Sequence, residues 1–496
     1  MINRKLKAIA RMCGGRILPE REMEEEGPQI KGVTTDSRSV EAGQLFVPLS
    51  GDNFDGHDYV ESAFAKGAAA SLWQEDRPVP PSLTGHALIA VEDTLGALQR
   101  LASAYRDELG VKVIGITGSN GKTTTKDMVA AALGAELKVH KTAGNLNNHI
   151  GLPLTVLRME ESAQAAVLEM GMSGFGEIML LSRIAKPDVG IITNIGDAHL
   201  LQLGSRANIA KAKLEITAGL KPGGLLLYNG DEPLLAEQLK TAPLPEGVRL
   251  QTFGGGESCD WRAADTELRL DSSSFVVERS ARMEMEANAS IPLGGTAAVE
   301  VKTPVDGNQE QQRVTIPVPG RHNINNALAA IAAAFAFGVP AAAAARGMAV
   351  MQLTGMRIQP VKAFNGATVL NDAYNANPTA VRAAIDLVEQ LGGFRRKWVV
   401  LGDMLELGPQ EAELHREIGA YVTPAKADAV LACGELGRHI AAGAEQSLGE
   451  SGEVRHFADK DALAQWLRGL LDPADLVLVK GSRGMRMEQI VHALEQ

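Results

Sequence analysis

The sequence predicts an α/β protein of three domains. The first is a small α/β domain and the second a central domain on a mostly parallel sheet with extra antiparallel strands. The third is a C-terminal Rossmann-like α/β domain. Three observations carry this expectation. The chain has 496 residues, more than one ordinary core holds, and roughly 150 residues per domain gives about three. Strand-like and helix-like runs alternate from about 111 to 230, and a second alternation starts beyond Thr354-Gly355; such alternation builds parallel sheets covered by helices. Between 250 and 318 the pattern becomes polar–apolar alternation with Gly and Ser breaks, which predicts antiparallel strands. The expected domains are 1–107, 108–354 and 355–496.

Each element follows from its local pattern. The opening "MINRKLKAIARMCGG" is basic and too poor in apolar residues for a signal peptide, so it reads as a short helix ending at Gly14-Gly15. Residues up to about 107 are irregular and loop-rich. "VKVIGIT" reads as a buried strand, "KTTTKDMVAAALGA" as a helix, "AAVLEM" as a strand, "EIMLLSRIA" as a helix and "DVGIITNI" as a strand. The run Ala327–Ala345 has no charge, but alanine dominates and Gly338 and Pro340 interrupt it. Two packed helices with a break between them are expected there, not a membrane span. "ATVLND", "KWVVLGD", "DAVLACG" and "DLVLVKGS" are the strands of the last domain.

Composition narrows the function. The apolar fraction is 45% and the formal charge −11; an acidic globular chain argues against nucleic acid as its main partner. Cys13, Cys259 and Cys433 are odd in number and far apart. This excludes a C-x-x-C zinc site, disfavours a disulfide framework and suits a reducing cytoplasm.

The chemistry concentrates in "GITGSNGKTTTKD", 115–127. A buried strand ends at Thr117 and small residues follow, whose N–H groups can turn toward phosphate oxygens. A helix then starts near Lys122, with its positive end at the loop. Lys122 would reach the β- and γ-phosphates and Thr123 would hold Mg²⁺. The spacing departs from G-x-x-x-x-G-K-[ST], because the first glycine position holds Ile116. Glu169 closes the next strand, and the one after delivers Asp197 and His199 to the same edge, where α/β sheets bind ligands. Taken singly, Glu169 reads as a solvated strand-end residue and His199 as structural; together they suit a metal or phosphate contact.

This constellation resembles the Mur ligase family. "TGSNGKTT" is similar to the family's ATP loop, T-G-x-N-G-K-T-[TS], which accounts for the missing glycine. "TTDSR" (34–38) resembles the uridine-nucleotide segment of some members. "GNLNNHIGLPLT" (144–155), "HLLQLGSRANIAKAKLEI" (199–216), "GRHNINNALAA" (320–330), "NDAYNANP" (371–378), "LGDMLELG" (401–408) and "KGSRGMRME" (480–488) resemble the branch that adds D-alanyl-D-alanine. The D-N-P-R signature of the branch adding diaminopimelate is absent from the sequence, and folylpolyglutamate synthases lack the first domain. Retention of Lys122, Glu169, His199 and Lys213 argues against a relative that has lost catalysis. The segment 255–312 matches none of these motifs.

The resemblance implies an enzyme of peptidoglycan precursor synthesis, hence of cell-wall growth, shape and division; a cytoplasmic location follows the cysteine usage, and a monomer is the default expectation. It would use ATP and two Mg²⁺ sites to join D-Ala-D-Ala to UDP-MurNAc-tripeptide. The γ-phosphoryl group would pass to the tripeptide carboxylate, and the dipeptide amine would displace phosphate from the acyl phosphate. Matching motifs assign Gly118, Ser119, Asn120, Gly121, Lys122, Thr123 and Thr124 to ATP. Asn323 and Asn326 would lie near the adenine, although Asn323 also reads as a helix cap. Arg357 would contact phosphate on domain closure, and Asp372 the ribose. Thr35, Asp36, Ser37 and Arg38 would hold the uridine nucleotide, although Asp36 alone is an ordinary turn residue. Asn147 and Asn148 would face the sugar-peptide, and Tyr374, Asn375 and Asn377 the dipeptide. Metal ligands would be Thr123, Glu169, His199 and Lys213, the last as a carbamate. Helical periodicity puts Ile209, Lys213, Ile216 and Leu220 on one face and Lys211 opposite.

Overall fold

The structure, a computed structural model, describes residues 1–18, 26–51, 53–280, 312–352 and 354–496. Three main sheets organise it. The first segment holds five strands in the order Arg16–Leu18, Leu88–Val91, Ala70–Gln74, Leu45–Phe46 and Val33–Thr34. All neighbours are parallel except the first pair. The opening residues form a strand, Asn3–Lys5, and then the helix Leu6–Cys13. Gly14 ends that helix at φ 72°, the left-handed conformation glycine adopts without strain. The helix Thr94–Leu109 runs across position 107 and packs on the helix Gly151–Leu157. One continuous apolar core therefore joins the first segment to the central one.

The central sheet has nine strands. Their order is Val139–Lys141, Ala165–Glu169, Lys112–Thr117, Val189–Ile192, Leu225–Asn229, Arg249–Phe253, Trp261–Leu268, Ser273–Arg279 and Arg313–Ile316. The first seven are parallel neighbours, and the last two pairings are antiparallel. The antiparallel strands expected within 250–318 are thus an extension of the parallel sheet, while 281–311 lies outside the described residues. Lys112–Thr117 sits inside the sheet and is apolar on both faces: Val113 on one and Ile114 and Ile116 on the other are wholly buried. The alanine-rich run forms the helices Arg321–Ala336 and Ala341–Ala349. They pack on the helix Lys122–Gly134, small side chains allowing close approach. Among the described residues no helix is long and apolar enough to cross a membrane.

The C-terminal sheet has the order Gln359–Lys362, Thr368–Asp372, Leu476–Lys480, Lys397–Gly402, Ala429–Cys433 and Glu453–Phe457. Only its first strand is antiparallel. Parallel strands point their carboxyl ends one way, so Asp372 and Lys480 emerge together at one edge. That edge faces the loop of the central sheet.

Candidate active site

The loop after Thr117 is shaped by close approaches that only glycine permits. Gly118 has φ 148°, and a Cβ there would lie 1.8 Å from Thr193 Oγ1. Gly121 has φ 79° and would place a Cβ 2.7 Å from Asn326 Oδ1. Gly121 precedes the first turn of the helix Lys122–Gly134, so that helix aims its positive end along the loop. The position of the missing glycine belongs to the strand: Ile116 is core. The Lys122 ammonium donates to Gly118 O at 2.8 Å and lies 3.4 Å from Ser119 O. Burial lowers its pKa, Glu169 raises it and Arg357 lowers it.

A cavity of about 450 Å³ opens over this loop. Ser119, Asn120, Gly121, Lys122, Thr123 and Thr124 form its floor. Asn147, Asn148, Glu169, His199, Asn323 and Asn326 line its walls, and Arg357, Asp372, Tyr374 and Asn375 close it from the C-terminal unit. Glu169 is 2% exposed; its Oε1 accepts from Asn147 Nδ2 at 2.8 Å, and its buried Oε2 has no partner. Arg357 Nη2 donates to Thr123 Oγ1 at 3.0 Å, and its guanidinium lies 4.3 Å from the Tyr374 ring centroid. Met356 and Ile358, on either side of Arg357, have φ of 61° and 51°. Left-handed backbone at a β-branched residue is strained, and it fixes where the arginine points.

His199 also has left-handed backbone, φ 62°. Its Nδ1 lies 3.0 Å from Glu406 Oε2, off the line a hydrogen bond needs. Burial first, then the charges of Lys122 and Lys213, push its pKa down, against the pull of Glu406. Lys213 sits on the helix Arg206–Leu214, 2% exposed, with no hydrogen bond or ion pair to any described residue. Burial and Lys122 hold its ammonium well below the ordinary lysine pKa. Lys211 is exposed. The α-helix ends at Leu214 and tightens into a 3₁₀ turn over Glu215–Gly219, so the face is shorter than periodicity predicts, although Ile209, Ile216 and Leu220 are all buried.

Other expected residues fall elsewhere. Asn323 donates to Pro319 O at 2.7 Å and accepts from Asn326 Nδ2 at 3.2 Å; Gly320, not Asn323, occupies the helix cap. Asn148 caps the turn into Gly151–Leu157 through bonds from Ile150 N and Gly151 N. Gly118, Lys213 and Asn377 do not line the cavity, and neither do Thr35, Asp36, Ser37 and Arg38. In that last turn Arg38 forks onto Asp36 with two contacts of 2.9 Å, and Lys66 donates to Ser37 O at 2.7 Å. Sequence reasoning missed His322, Lys480, Asn194 and Thr379, all of which line the cavity. Lys480 Nζ bonds Asp372 Oδ2 at 2.5 Å and Asn375 O at 2.9 Å. His322, half-buried, has its pKa pushed down to about 4 by desolvation first and then by Lys480, against the pull of Asp372. The signals were present: His322 lies inside "GRHNINN" and Lys480 at a strand end.

A glycine-shaped loop, a helix N-terminus, a lysine and a carboxylate with one oxygen unpartnered at the carboxyl ends of parallel strands define a nucleotide-binding α/β protein. The chain belongs to the Mur ligase family. It matches the Mur ligase middle domain over 116–334, the Mur ligase glutamate ligase domain over 356–483 and the Mur ligase family catalytic domain over 29–106. It is 46% identical over 494 residues to a UDP-N-acetylmuramoyl-tripeptide–D-alanyl-D-alanine ligase of Bacillus subtilis strain 168, covering 100% of this chain and 99% of that protein. The structure is similar to MurF of Acinetobacter baumannii, with TM-score 0.85, 30% identity and coverage of 100% and 99% of the two chains. It is also similar to MurF ligase of Thermotoga maritima in complex with ADP, with TM-score 0.76, 26% identity and coverage of 94% and 97%.

Proposed function

We propose that this chain is the ATP-dependent ligase that joins D-Ala-D-Ala to UDP-MurNAc-tripeptide in cytoplasmic peptidoglycan precursor synthesis. The observation that carries the reading is the convergence of Lys122, Glu169 and Arg357, from two sheets, on one cavity. Near-full-length identity to the Bacillus subtilis ligase supports the same substrates. We take the working divisions of the chain as 1–107, 108–354 and 355–496.

The reaction is a problem of charge. A carboxylate must meet an anionic phosphate, so positive groups have to stand on both sides of the transferring phosphoryl group. Lys122 approaches from the loop and Arg357 from the C-terminal unit. Asn323, Asn326 and Asp372 would hold the nucleoside, and Asn147, bonded to Glu169, together with Asn148 would face the sugar-peptide. Tyr374 and Asn375, which line the cavity, would meet the dipeptide, and the turn 35–38, half-buried but for Arg38, would receive the uridine nucleotide. The tripeptide carboxylate takes the γ-phosphoryl group and ADP leaves; the dipeptide amine then attacks the acyl phosphate, and the tetrahedral adduct expels phosphate.

The donor set fits Mg²⁺. Glu169 Oε2 is buried without a partner, and Thr123 offers a hydroxyl. Among the described residues no group of three or more His, Cys, Asp or Glu could hold a metal unaided, which suits an ion completed by phosphate oxygens and water. His199 and Lys213, the latter as a carbamate, would complete two sites. When bound, the ion would neutralise phosphate charge. The isolation of the Lys213 ammonium supports carbamylation: a buried amine of lowered pKa is neutral more often and can add CO₂, and the resulting anion would suit a metal.

The test is phosphate release from ATP. It should require UDP-MurNAc-tripeptide and D-Ala-D-Ala together. Efficient coupling of diaminopimelate or lysine to the UDP-linked dipeptide would sink the assignment, and nucleotide binding without turnover would favour a non-catalytic relative.

A further inference from the structure

Asn377 belongs to the segment expected to meet the dipeptide, yet its side chain is 3% exposed and engaged elsewhere. Its Nδ2 donates to Asn120 Oδ1 at 2.7 Å, and Asn120 Nδ2 donates back to Asn377 Oδ1 at 3.2 Å. The same Oδ1 accepts from Ala380 N at 3.0 Å, capping the helix Pro378–Gln390. That cap fixes the orientation of the amide. A flipped Asn377 would point Nδ2 at the Ala380 N–H, donor against donor, so its oxygen must face the helix and its nitrogen must face Asn120. Asn120 is then oriented in turn.

Asn120 is held equally firmly from the other side. Its N–H donates to Asn194 Oδ1 at 2.9 Å, and its carbonyl accepts from Asn194 Nδ2 at 3.3 Å and from the Thr193 hydroxyl. Two residues beyond Asn377, Thr379 Oγ1 donates to Asp197 Oδ2 at 2.9 Å, a second polar tie between the same two units. A loop residue whose backbone is set by the central sheet therefore has its side chain set by the C-terminal unit.

We propose that Asn120 and Asn377 form an amide latch through which docking of the C-terminal unit sets the conformation of the nucleotide loop. Asn377 is thus a positioning residue and not a dipeptide contact. The inference rests on reading 115–127 as the nucleotide site. Linkage makes the coupling reciprocal: nucleotide binding favours docking, and docking favours nucleotide binding.

The experiment uses the full chain with Asn377→Ser, Asn120→Ala and the double variant. Serine still caps a helix, so Asn377→Ser removes the latch and spares the helix. Binding of a fluorescent ADP analogue, KM for each substrate, kcat and Tm are measured. Each single change should weaken analogue binding or lower kcat about tenfold. The double variant should be no worse than the worse single one, because both remove the same interaction. The KM for D-Ala-D-Ala should stay within about twofold and Tm should hold, since one exchanged amide pair contributes little to global stability. Additive losses would overturn the latch, as would a raised D-Ala-D-Ala KM with unchanged analogue affinity. Failure of the unaltered chain to bind the analogue would sink the nucleotide-site reading itself, and the latch with it.

Discussion

Lys122 and Lys213 show how surroundings set two lysines apart. Lys122 stands at a helix N-terminus and aims its charge along the loop; Lys122→Ala should leave the fold intact and slow ligation on the order of 10²-fold or more. Near-normal turnover in a folded variant would make the loop structural. Lys213 is buried beside that charge, and no described residue pairs with it. Lys213→Ala should be nearly inactive and partly rescued by short carboxylic acids, whereas exposed Lys211→Ala should be mild. Normal activity in Lys213→Arg, or greater sensitivity at Lys211, would contradict the carbamate. The motif marked Lys122; helical spacing turned Lys213 inward, where it is buried, but only the family resemblance suggested a carbamate there. His322 and Lys480 lie inside the motifs at 320–330 and 480–488 but were not singled out, because a motif does not say which of its side chains will reach a cavity built from two sheets.

At the scale of elements, the segments beside the cavity are held by buried polar groups. Asp127, on the helix that starts at Lys122, accepts from Thr354 N at 3.1 Å and Thr354 Oγ1 at 2.8 Å and pairs with Lys141 at 2.7 Å. This anchors the strand of chain that carries Arg357. Thr354→Val should cost about 0.5–1.5 kcal/mol in transition-state stabilisation, read as a fall in kcat/KM with little change in Tm. Asp127→Ala should instead lower Tm markedly, since it strands buried Lys126 without its acid; breaking such a pair costs about 3–5 kcal/mol. Equal effects on activity and Tm from both variants would refute an anchoring role for Thr354. The loop "GDMLELG" is held by His415, whose Nε2 accepts from Met404 N at 2.8 Å and whose Nδ1 donates to Glu411 O at 2.7 Å. An acceptor nitrogen must be unprotonated, and burial holds this pKa below its ordinary value of 6.5. The unfolded chain therefore takes up a proton first as pH falls below about 6.5. Stability should decline from that pH downward, and His415→Gln should flatten part of the slope in Tm against pH. An unchanged slope would mean that His415 is not the group responsible.

Across the whole molecule, several contacts between described residues that join the C-terminal unit to the central sheet are polar: Asn120 with Asn377, Thr379 with Asp197, Arg357 with Thr123, and Leu201 N with Glu406 O at 3.1 Å, while Leu270 adds an apolar one. Polar joints exchange readily with water, so docking should be reversible and substrate-dependent. Small-angle scattering should show a smaller radius of gyration when an ATP analogue and the tripeptide substrate are both bound. No compaction, with both shown to bind, would count against domain closure.

The sequence alone determined the three-part α/β architecture, the strands and helices of the two alternating regions, and the family. These depend on local periodicity, on apolar runs and on short motifs, all of which act over a few residues. It also revealed the glycine-shaped loop at the start of the helix Lys122–Gly134, because glycine and a helix start leave a local signature. Tertiary structure decided the rest. It made the antiparallel strands a continuation of the central sheet, carried the helix Thr94–Leu109 across the expected 107/108 division, and turned Asn377 toward Asn120. Each of these depends on partners far apart in the chain, 257 positions in the case of Asn120 and Asn377. Burial and hydrogen-bond satisfaction choose such partners only once the whole fold has formed, and no local pattern records them.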